Sequence, residues 1–258
     1  LTYYPHPRFV LNPTDSKLRL LNTLDEKIKL LEEAGIQNLI VLEFTKELAG
    51  ITATSFIEDI LIKSIGAKTL IVGYDHRFGR NRAGSVTDLR AYEANGNFHV
   101  HEIEAQMLQD LAISSTKIRK ALQEGDVEDA AKLLGTDYLL SGKVIEGKRV
   151  GRTMGFPTAN LEIKENFKLI PKDGVYYVEV MISDTIYNGL LSIGNNPTLD
   201  GNSKSIEVHL LDFNKDIYGE LIDVHFKRWI RGTKKFVSLH DLKAQIQKDK
   251  EYVEQNYL

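Results

Sequence analysis

The sequence predicts two domains of different fold class, an α/β domain with a parallel, doubly wound sheet and an antiparallel β-barrel followed by one helix. The first half alternates helix-like and strand-like segments, which is typical of a parallel sheet with crossover helices. The second half contains many short strand-like segments and few helices, which is typical of an antiparallel barrel. We place the boundary near Thr136, so the predicted domains are 1–136 and 137–258.

Apolar runs and capping signals define the elements of the first half. The predicted strands are Leu1–Tyr4, Leu39–Phe44, Thr69–Gly73 and Phe98–Ile103. Thr23 with Glu26, and Ser55 with Glu58, have the spacing of a capping box, so each pair predicts the start of a helix. Further helices are predicted over 87–95, 116–123 and 127–134.

The second half is a series of short strands separated by turn residues. The predicted strands are Tyr138–Ile145, Gly174–Ile182, Ile186–Ile193, Ser205–Leu211 and Leu221–Trp229. Asp200-Gly201 and Asn214–Asp216 have the composition of hairpin connectors. Ser238 is expected to cap a final helix whose inner stripe is formed by Leu239, Leu242, Ile246 and Tyr252.

The composition excludes several classes of function. The 258 residues include no cysteine, which rules out disulfides, thiolate nucleophiles and cysteine-bound zinc. A formal net charge of −3 provides no general attraction to nucleic acid or to an anionic membrane. The apolar runs are far shorter than a bilayer span. These features predict a soluble, cytoplasmic protein.

The densest chemical signal is a basic, glycine-rich segment at the start of the second half. Glycines allow backbone amides to approach a polyphosphate closely, and the neighbouring cations suit an anionic ligand. The run from Gly142 to Lys148 approaches a P-loop, but Arg149 replaces the hydroxyl residue that would hold magnesium, and no helix is predicted to follow. A basic surface hairpin loop explains the composition equally well.

A hydroxyl and a carboxamide follow this segment at alternate positions. Thr158 and Asn160 point to one face of an extended strand because the side-chain period of a strand is two residues. Both offer hard oxygen ligands of the kind magnesium accepts beside substrate phosphates. Taken alone, the pair fits local hydrogen bonding to the backbone at least as well.

The stretch Gly151–Asn160, G-R-T-M-G-F-P-T-A-N, resembles the signature of the riboflavin kinase family. Further matching motifs follow in register at 173–176, 194–198, 207–213, 231 and 235–236. The resemblance therefore covers the whole second half, and it implies a small six-stranded barrel with a C-terminal helix. It also implies ATP and riboflavin as substrates and magnesium as cofactor.

The resemblance assigns roles to individual positions. Glu207 would be the general base on the ribityl 5′-hydroxyl of riboflavin, and Thr158 and Asn160 would take part in Mg-ATP binding. The expected ATP-binding residues are Gly142, Lys143, Gly147, Lys148, Gly151, Arg152, Gly155, Phe156 and Pro157. The expected flavin contacts are Tyr176, Asn195, Thr198 and Arg231.

Three loops of the first half also carry a resemblance, to the FMN adenylyltransferase module of prokaryotic bifunctional FAD synthetases. The loops are 5–8, 73–80 and 113–119, each at the end of a predicted strand or the start of a helix, where α/β sheets bind ligands. The resemblance implies a nucleotidyltransferase-like, Rossmann-like sheet. The expected nucleotide or flavin contacts are His6, Gly73, Asp75, Arg77, Phe78, Gly79, Ser115, Thr116 and Arg119.

One motif of that adenylyltransferase family has no counterpart in the sequence. The family carries G-x-F-D-G-x-H-x-G-H on its first strand–loop–helix unit, with two histidines on the ATP phosphates. The sequence opens at Leu1 with a strand already under way. We therefore expect an N-terminal segment to be missing and the chain as given not to form FAD.

Three functions remain to be distinguished. The first is a bifunctional enzyme that makes FMN from riboflavin and FAD from FMN, each with ATP. The second is a riboflavin kinase alone, with the α/β half as a scaffold or regulatory module. The third is a flavin-sensing protein without catalysis, against which the presence of Glu207 argues, because a binder needs no general base.

Overall fold

The computed structural model describes residues 1–14, 17–103, 114–147, 151, 154–198 and 201–258, with the backbone alone for 195–198 and 201–203. The chain divides into two compact units. Unit 1 contains Leu1–Leu18 and Gly35–Ile113, and unit 2 contains Arg19–Ala34 and Ser114–Leu258. Within the described ranges, no helix is both long enough and apolar enough to cross a membrane.

Unit 1 has the parallel strand pairing that the alternating pattern predicts. Its strands are β1 (Thr2–Tyr4), β2 (Val41–Glu43), β3 (Thr69–Gly73) and β4 (His99–Ile103). Its α-helices are α1 (Pro7–Leu11), α3 (Lys46–Gly50), α4 (Ala53–Ser55) and α5 (Val86–Ala94), with a π-helical segment over Phe56–Ser64 and a 3-10 turn over Arg80–Arg82. β1 pairs in parallel with β2, and β3 pairs in parallel with β4.

The predicted start of one helix in unit 1 is wrong by three residues. The side chain of Thr52, not Ser55, caps the helix, accepting a hydrogen bond from the Ser55 amide at 3.0 Å. Two residues at capping-box spacing cannot show which turn begins the helix when a second hydroxyl lies one turn earlier. The π-helical segment that follows buries Phe56, Ile57 and Leu61 in the core of this unit.

Unit 2 is a closed antiparallel barrel with helices. Its strands are β5 (Tyr138–Ile145), β6 (Ala159–Glu162), β7 (Gly174–Ile182), β8 (Thr185–Thr198), β9 (Gly201–Leu210) and β10 (Leu221–Arg231). Its helices are α2 (Leu24–Glu33), α6 (Ser115–Glu124), α7 (Val127–Leu134) and α8 (Leu239–Tyr257). The strand order around the barrel is β10-β5-β6-β9-β8-β7, which confirms the predicted six-stranded barrel with a C-terminal helix.

The capping signals of unit 2 form as predicted. Thr23 and Glu26 make a complete capping box at the start of α2, and Ser238 accepts from the Asp241 amide at the start of α8. The inner face of α8 differs from the predicted stripe, because Leu239 and Tyr252 are exposed whereas Asp249 and Val253 are buried. The barrel presents polar as well as apolar partners to α8, so hydrophobicity alone did not identify the buried positions.

The predicted domain boundary and the two compact units divide the chain differently. Helix α2 and the pair α6–α7 precede residue 137, yet they belong to unit 2 with the barrel. The boundaries 1–136 and 137–258 stay a prediction for the two functional modules.

Candidate active site

The polar residues predicted for phosphate chemistry meet where β6 pairs with β9. Asn160 lies directly opposite Glu207 in this antiparallel pair. The Thr158 hydroxyl donates to Oε2 of Glu207 at 3.2 Å. The hydroxyl of Ser205 donates to the other oxygen, Oε1, at 2.7 Å. Both oxygens of the Glu207 carboxylate are therefore held by hydroxyl groups, which fixes the orientation of this half-buried side chain.

Two glycines of the predicted ATP segment lie against these residues. A Cβ on Gly147 would stand 2.0 Å from Nδ2 of Asn160. A Cβ on Gly151 would stand 2.3 Å from the carbonyl oxygen of Phe156 and 3.3 Å from Oγ1 of Thr158. At both positions the absence of a side chain allows the loop to approach the strand that carries Thr158 and Asn160.

The other predicted ATP residues have different surroundings. Gly142 is buried on β5, where it pairs with Ile222, and Lys143 is exposed on the same strand. Gly155 is exposed in a turn with a φ of 85°. Lys148 and Arg152 lie outside the described residues. Gly142 therefore has a packing role inside the barrel, and ATP contacts by the others stay predictions.

Two cavities meet at Thr158. The larger, of about 440 Å³, is lined by apolar and polar side chains in similar number, and Glu207 faces it. The smaller, of about 370 Å³, is lined by the 157–159 segment and the loop 213–218. Thr158 lines both cavities, so the hydroxyl that contacts Glu207 forms part of the wall between them.

Phe156 and His209 lie next to each other in the wall of the larger cavity. The ring of Phe156 is buried and contacts the His209 ring edge to face at 5.3 Å. Nδ1 of His209 lies 2.8 Å from the carbonyl oxygen of Pro157. Burial lowers the pKa of His209, and the hydrogen bond to Pro157 opposes this shift.

The predicted flavin contacts are only partly brought together. Arg231 lines the larger cavity. Tyr176 lies in the barrel core, where its ring contacts Phe226 and its hydroxyl donates to the Lys172 carbonyl, and it lines neither of the two cavities. The backbones of Asn195 and Thr198 continue β8, and their side chains lie outside the described part of the structure. Tyr176 is therefore placed to support the barrel.

Sequence reasoning missed several residues of this site, among them Ser205, which supports Glu207, and Asp249, which lines the larger cavity. Ser205 lies two residues before Glu207 and so shares its strand face, a signal that the alternation did contain. Asp249 lines the cavity from α8 and is 5% exposed. An acidic residue in a polar helix carries no local sign of burial, so Asp249 could be found only from its tertiary partner.

The candidate nucleotide residues of unit 1 lie in two loops. His6 caps α1, its Nδ1 accepting from the Arg8 amide at 3.2 Å. Gly73 ends β3, and the exposed Asp75 follows it. Arg77 lines a cavity of about 320 Å³ with residues from the start of α5. Arg90 and Glu102 line it too, so an anionic ligand would find two cations and one carboxylate there, and a phosphate contact stays a prediction.

Phe78 and Gly79 have packing roles in the same unit. Phe78 is buried and contacts Phe56 with ring centroids 5.4 Å apart. Gly79 has a φ of 70°, and a Cβ there would stand 2.7 Å from the Ala53 amide nitrogen. Both positions hold the loop onto the helical segment beneath it, and direct ligand contacts by them stay predictions.

Ser115, Thr116 and Arg119 lie at the start of α6 in unit 2. Ser114 is the N-cap, so Ser115 and Thr116 occupy the first turn and are exposed. Nε of Arg119 donates to the Arg19 carbonyl at 3.0 Å, within the same unit. Free amides at a helix start favour an anion, but a joint site of these residues with the loops of unit 1 stays a prediction.

Comparison with protein families identifies both halves of the chain. Residues 1–117 match the family model described as FAD synthetase, and residues 134–257 match the family model described as riboflavin kinase.

Curated relatives align over nearly the whole chain. Proteins described as bifunctional riboflavin kinase/FMN adenylyltransferase are 36% identical in Listeria monocytogenes, 39% in Haemophilus influenzae and 37% in Escherichia coli K12. The first two alignments cover 97% of this chain and the third 96%, and they span 79%, 81% and 79% of the respective relatives.

A solved structure shares the fold of the chain. A crystal structure of a protein described as a macrolide-efflux protein from Streptococcus pneumoniae superposes with a TM-score of 0.85 at 34% identity. The match covers 99% of this chain and 82% of the other. With both family models matched and relatives of one description aligned over nearly the whole of this chain, the chain belongs to the bifunctional riboflavin kinase/FMN adenylyltransferase family.

Proposed function

We propose that the barrel unit transfers the γ-phosphate of ATP to the 5′-hydroxyl of riboflavin, and that the α/β unit transfers the adenylyl group of a second ATP to the resulting FMN. The observation that carries the first step is the contact between Thr158 and Glu207 at the wall shared by two cavities. Phosphoryl transfer between two bound substrates needs such a junction, because donor and acceptor must meet in line.

The larger cavity offers the apolar surface that a flavin ring needs. We assign riboflavin to the larger cavity, because its lining includes Met154, Val175, Leu190, Phe236, Leu242 and Ile246, which suit a flat apolar ring system. Glu207 also faces this cavity and not the smaller one. A base that accepts the proton of the riboflavin hydroxyl has to lie on the riboflavin side.

We assign ATP to the smaller cavity. Pro157 and Thr158 of the predicted ATP segment line it, and the opposite loop carries Lys215 next to Asp216. The reaction then proceeds by attack of the ribityl oxygen on the γ-phosphorus. The bond from that phosphorus to the bridging oxygen breaks, ADP leaves, and Glu207 takes up the hydroxyl proton.

The residues at the junction also fit a magnesium ion. Thr158 and Asn160 supply a hydroxyl and a carboxamide oxygen on neighbouring positions of one strand face, beside the Glu207 carboxylate. When bound, magnesium neutralises charge on the phosphates of ATP. The chain's own contribution is to hold Thr158 at the wall of both cavities and Asn160 two residues further along, against Gly147, where the absence of a side chain leaves room for the carboxamide.

Replacement of Gly147 by alanine tests this arrangement. The new Cβ would collide with the Asn160 carboxamide and displace it, so we expect kcat/KM for Mg-ATP to fall by about tenfold to a hundredfold. Steady-state kinetics with ATP varied would measure the effect. Gly50→Ala is the matched control, since a Cβ there meets nothing within 4 Å and Gly50 belongs to unit 1. An unchanged kcat/KM for Gly147→Ala would argue against a role of Asn160.

The second step rests on family membership and on the residues of the predicted adenylyltransferase loops. In this step an oxygen of the FMN phosphate attacks the α-phosphorus of ATP, and pyrophosphate leaves with the electron pair of the broken bond. The absence of cysteine and the nature of these substrates also favour the cytoplasm as the place of action.

Product analysis tests both activities at once. The purified chain is incubated with riboflavin and ATP, with magnesium or with EDTA, and the flavins are separated by chromatography. We expect FMN only when magnesium is present. FAD in addition would show that the chain also catalyses the proposed second step.

The same experiment decides between the competing functions. One outcome is that the chain forms FMN from riboflavin but no FAD, either from riboflavin or from added FMN. That result would leave riboflavin kinase as the activity of the chain. No FMN from folded protein that still binds riboflavin would overturn the proposed kinase and favour flavin sensing.

A further inference from the structure

A buried ion pair joins the C-terminal helix to the wall of the larger cavity. Asp249, on α8, is 5% exposed, and its carboxylate faces Arg231 at the end of β10. Nε of Arg231 lies 3.0 Å from both carboxylate oxygens, and Nη2 donates to Oδ2 at 2.7 Å. This bidentate geometry is the strongest form of the arginine–carboxylate contact and fixes the plane of the guanidinium group.

Two further hydrogen bonds complete the arrangement. Nη1 of Arg231 donates to the carbonyl of Gly232 at 3.1 Å, which ties the guanidinium group to the loop after β10. Nε2 of Gln245, one turn before Asp249 on α8, donates to Oδ1 of Asp249 at 2.9 Å. The carboxylate is thus held from its own helix while it holds the arginine.

The pair changes what Arg231 offers to a ligand. Its positive charge is neutralised by Asp249 in a poorly hydrated position, with side-chain exposures of 22% and 6%. The bonds to Asp249 and Gly232 use three of the five N–H groups of Arg231, which leaves two N–H donors, and no free positive charge, for a ligand in the cavity that Arg231 lines. Such donors suit the neutral carbonyl oxygens of a flavin ring better than a phosphate.

We propose that Asp249 is a positioning residue for riboflavin binding, acting through Arg231 and through the attachment of α8 to the barrel. This inference rests on the proposed assignment of riboflavin to the larger cavity. Leu242 and Ile246 line that cavity from α8, and Phe236 lines it from the loop after β10. The Asp249–Arg231 pair lies where helix, strand and loop join, so its loss would disturb both the donor set and the apolar walls.

The test is the Asp249→Asn variant, measured by riboflavin binding and by steady-state kinetics. We expect the dissociation constant of riboflavin, from quenching of flavin fluorescence without ATP, to rise about tenfold or more. KM for riboflavin should rise in parallel, while KM for ATP stays within about twofold. In an Arg231→Gln background, Asp249→Asn should cause little further loss, because it acts through that arginine.

Glu128→Gln is the matched control, because Glu128 pairs at 2.8 Å with Arg228, an arginine of the same strand that lines neither barrel cavity. It should leave riboflavin affinity and both KM values unchanged. If Asp249→Asn does not fold, Gln245→Ala removes only the supporting hydrogen bond and should raise the riboflavin dissociation constant about threefold.

Two results would overturn the proposal. The first is an unchanged riboflavin dissociation constant in folded Asp249→Asn or, where that variant is unfolded, in Gln245→Ala. The second is an equal loss of riboflavin and ATP affinity. Failure of the proposed kinase reaction is a separate result, since the unaltered protein would then form no FMN from riboflavin.

Discussion

Replacing Glu207 with glutamine should reduce FMN formation from riboflavin by about a hundredfold or more, with little change in the fold. The amide keeps the size of the side chain and can still accept from Ser205, which now donates to Oε1 at 2.7 Å. It cannot take up a proton from the riboflavin hydroxyl. The loss should therefore appear in kcat, with KM for riboflavin changed much less, because binding contacts remain.

Glu179→Gln is the control for this prediction. Glu179 also lies on a barrel strand, but its carboxylate pairs with Lys227 at 3.0 Å and lines neither barrel cavity. We expect its kcat for FMN formation to equal that of the unaltered protein. A Glu207→Gln protein that keeps a third or more of the original kcat would rule out the carboxylate as the base and leave positioning as the main source of catalysis.

Local signals were sufficient for much of the fold. The capping box of Thr23 and Glu26 predicts the start of α2, and Asp126 caps α7 as its type and position suggest. Strand-like segments between turn residues predict β5 and β7 with their observed bounds. These features are decided by residues close in sequence, so no tertiary information is needed to recognise them.

The active-site contacts required more than local signals. Thr158 and Glu207 are 49 residues apart, and their contact depends on the pairing of β6 with β9. Sequence motifs identified both residues by resemblance, but not that their strands pair in the barrel. Hydrogen-bond partners across a barrel depend on strand order, which residue spacing does not encode.

Buried charges are where the sequence was least informative. Lys168 was singled out by no pattern, yet its side chain has no exposed area, and neither does that of Glu26. Nζ of Lys168 donates to Glu26 Oε2 at 2.6 Å and to the carbonyls of Leu21 and Leu139 at 2.7 and 2.6 Å. The segment Arg19–Ala34 thereby becomes part of the barrel unit, although it precedes the barrel by a hundred residues or so.

Replacing Lys168 with methionine should lower the free energy of unfolding of the barrel unit by about 3–5 kcal/mol. The change leaves the Glu26 carboxylate buried without its counter-charge and removes the donor to two backbone carbonyls. Burial lowers the pKa of Lys168 to about 8, and Glu26 opposes the shift, so the ammonium form still predominates at pH 7. The measurement should therefore be made near neutral pH.

Urea unfolding followed by tryptophan fluorescence measures the free energy of unfolding of the barrel unit, to which this prediction applies. Trp229 is the single tryptophan of the chain and lies on β10, so its emission reports the barrel. Lys120→Met is the control, because Lys120 and Glu124 form an exposed pair on α6 whose loss should cost about 0.5 kcal/mol or less.

The double variant Lys168→Met with Glu26→Gln separates the ion pair from the packing of its members. The amide oxygen can still accept from one of the two backbone amides, Thr23 or Ser141, that now donate to the two oxygens of Glu26, and the side chain carries no buried charge. We therefore expect the double variant to be more stable than the sum of the single losses predicts. Additive losses, or a midpoint for Lys168→Met equal to that of the unaltered protein, would show that the 19–34 segment is held to the barrel by its apolar contacts and not by this pair.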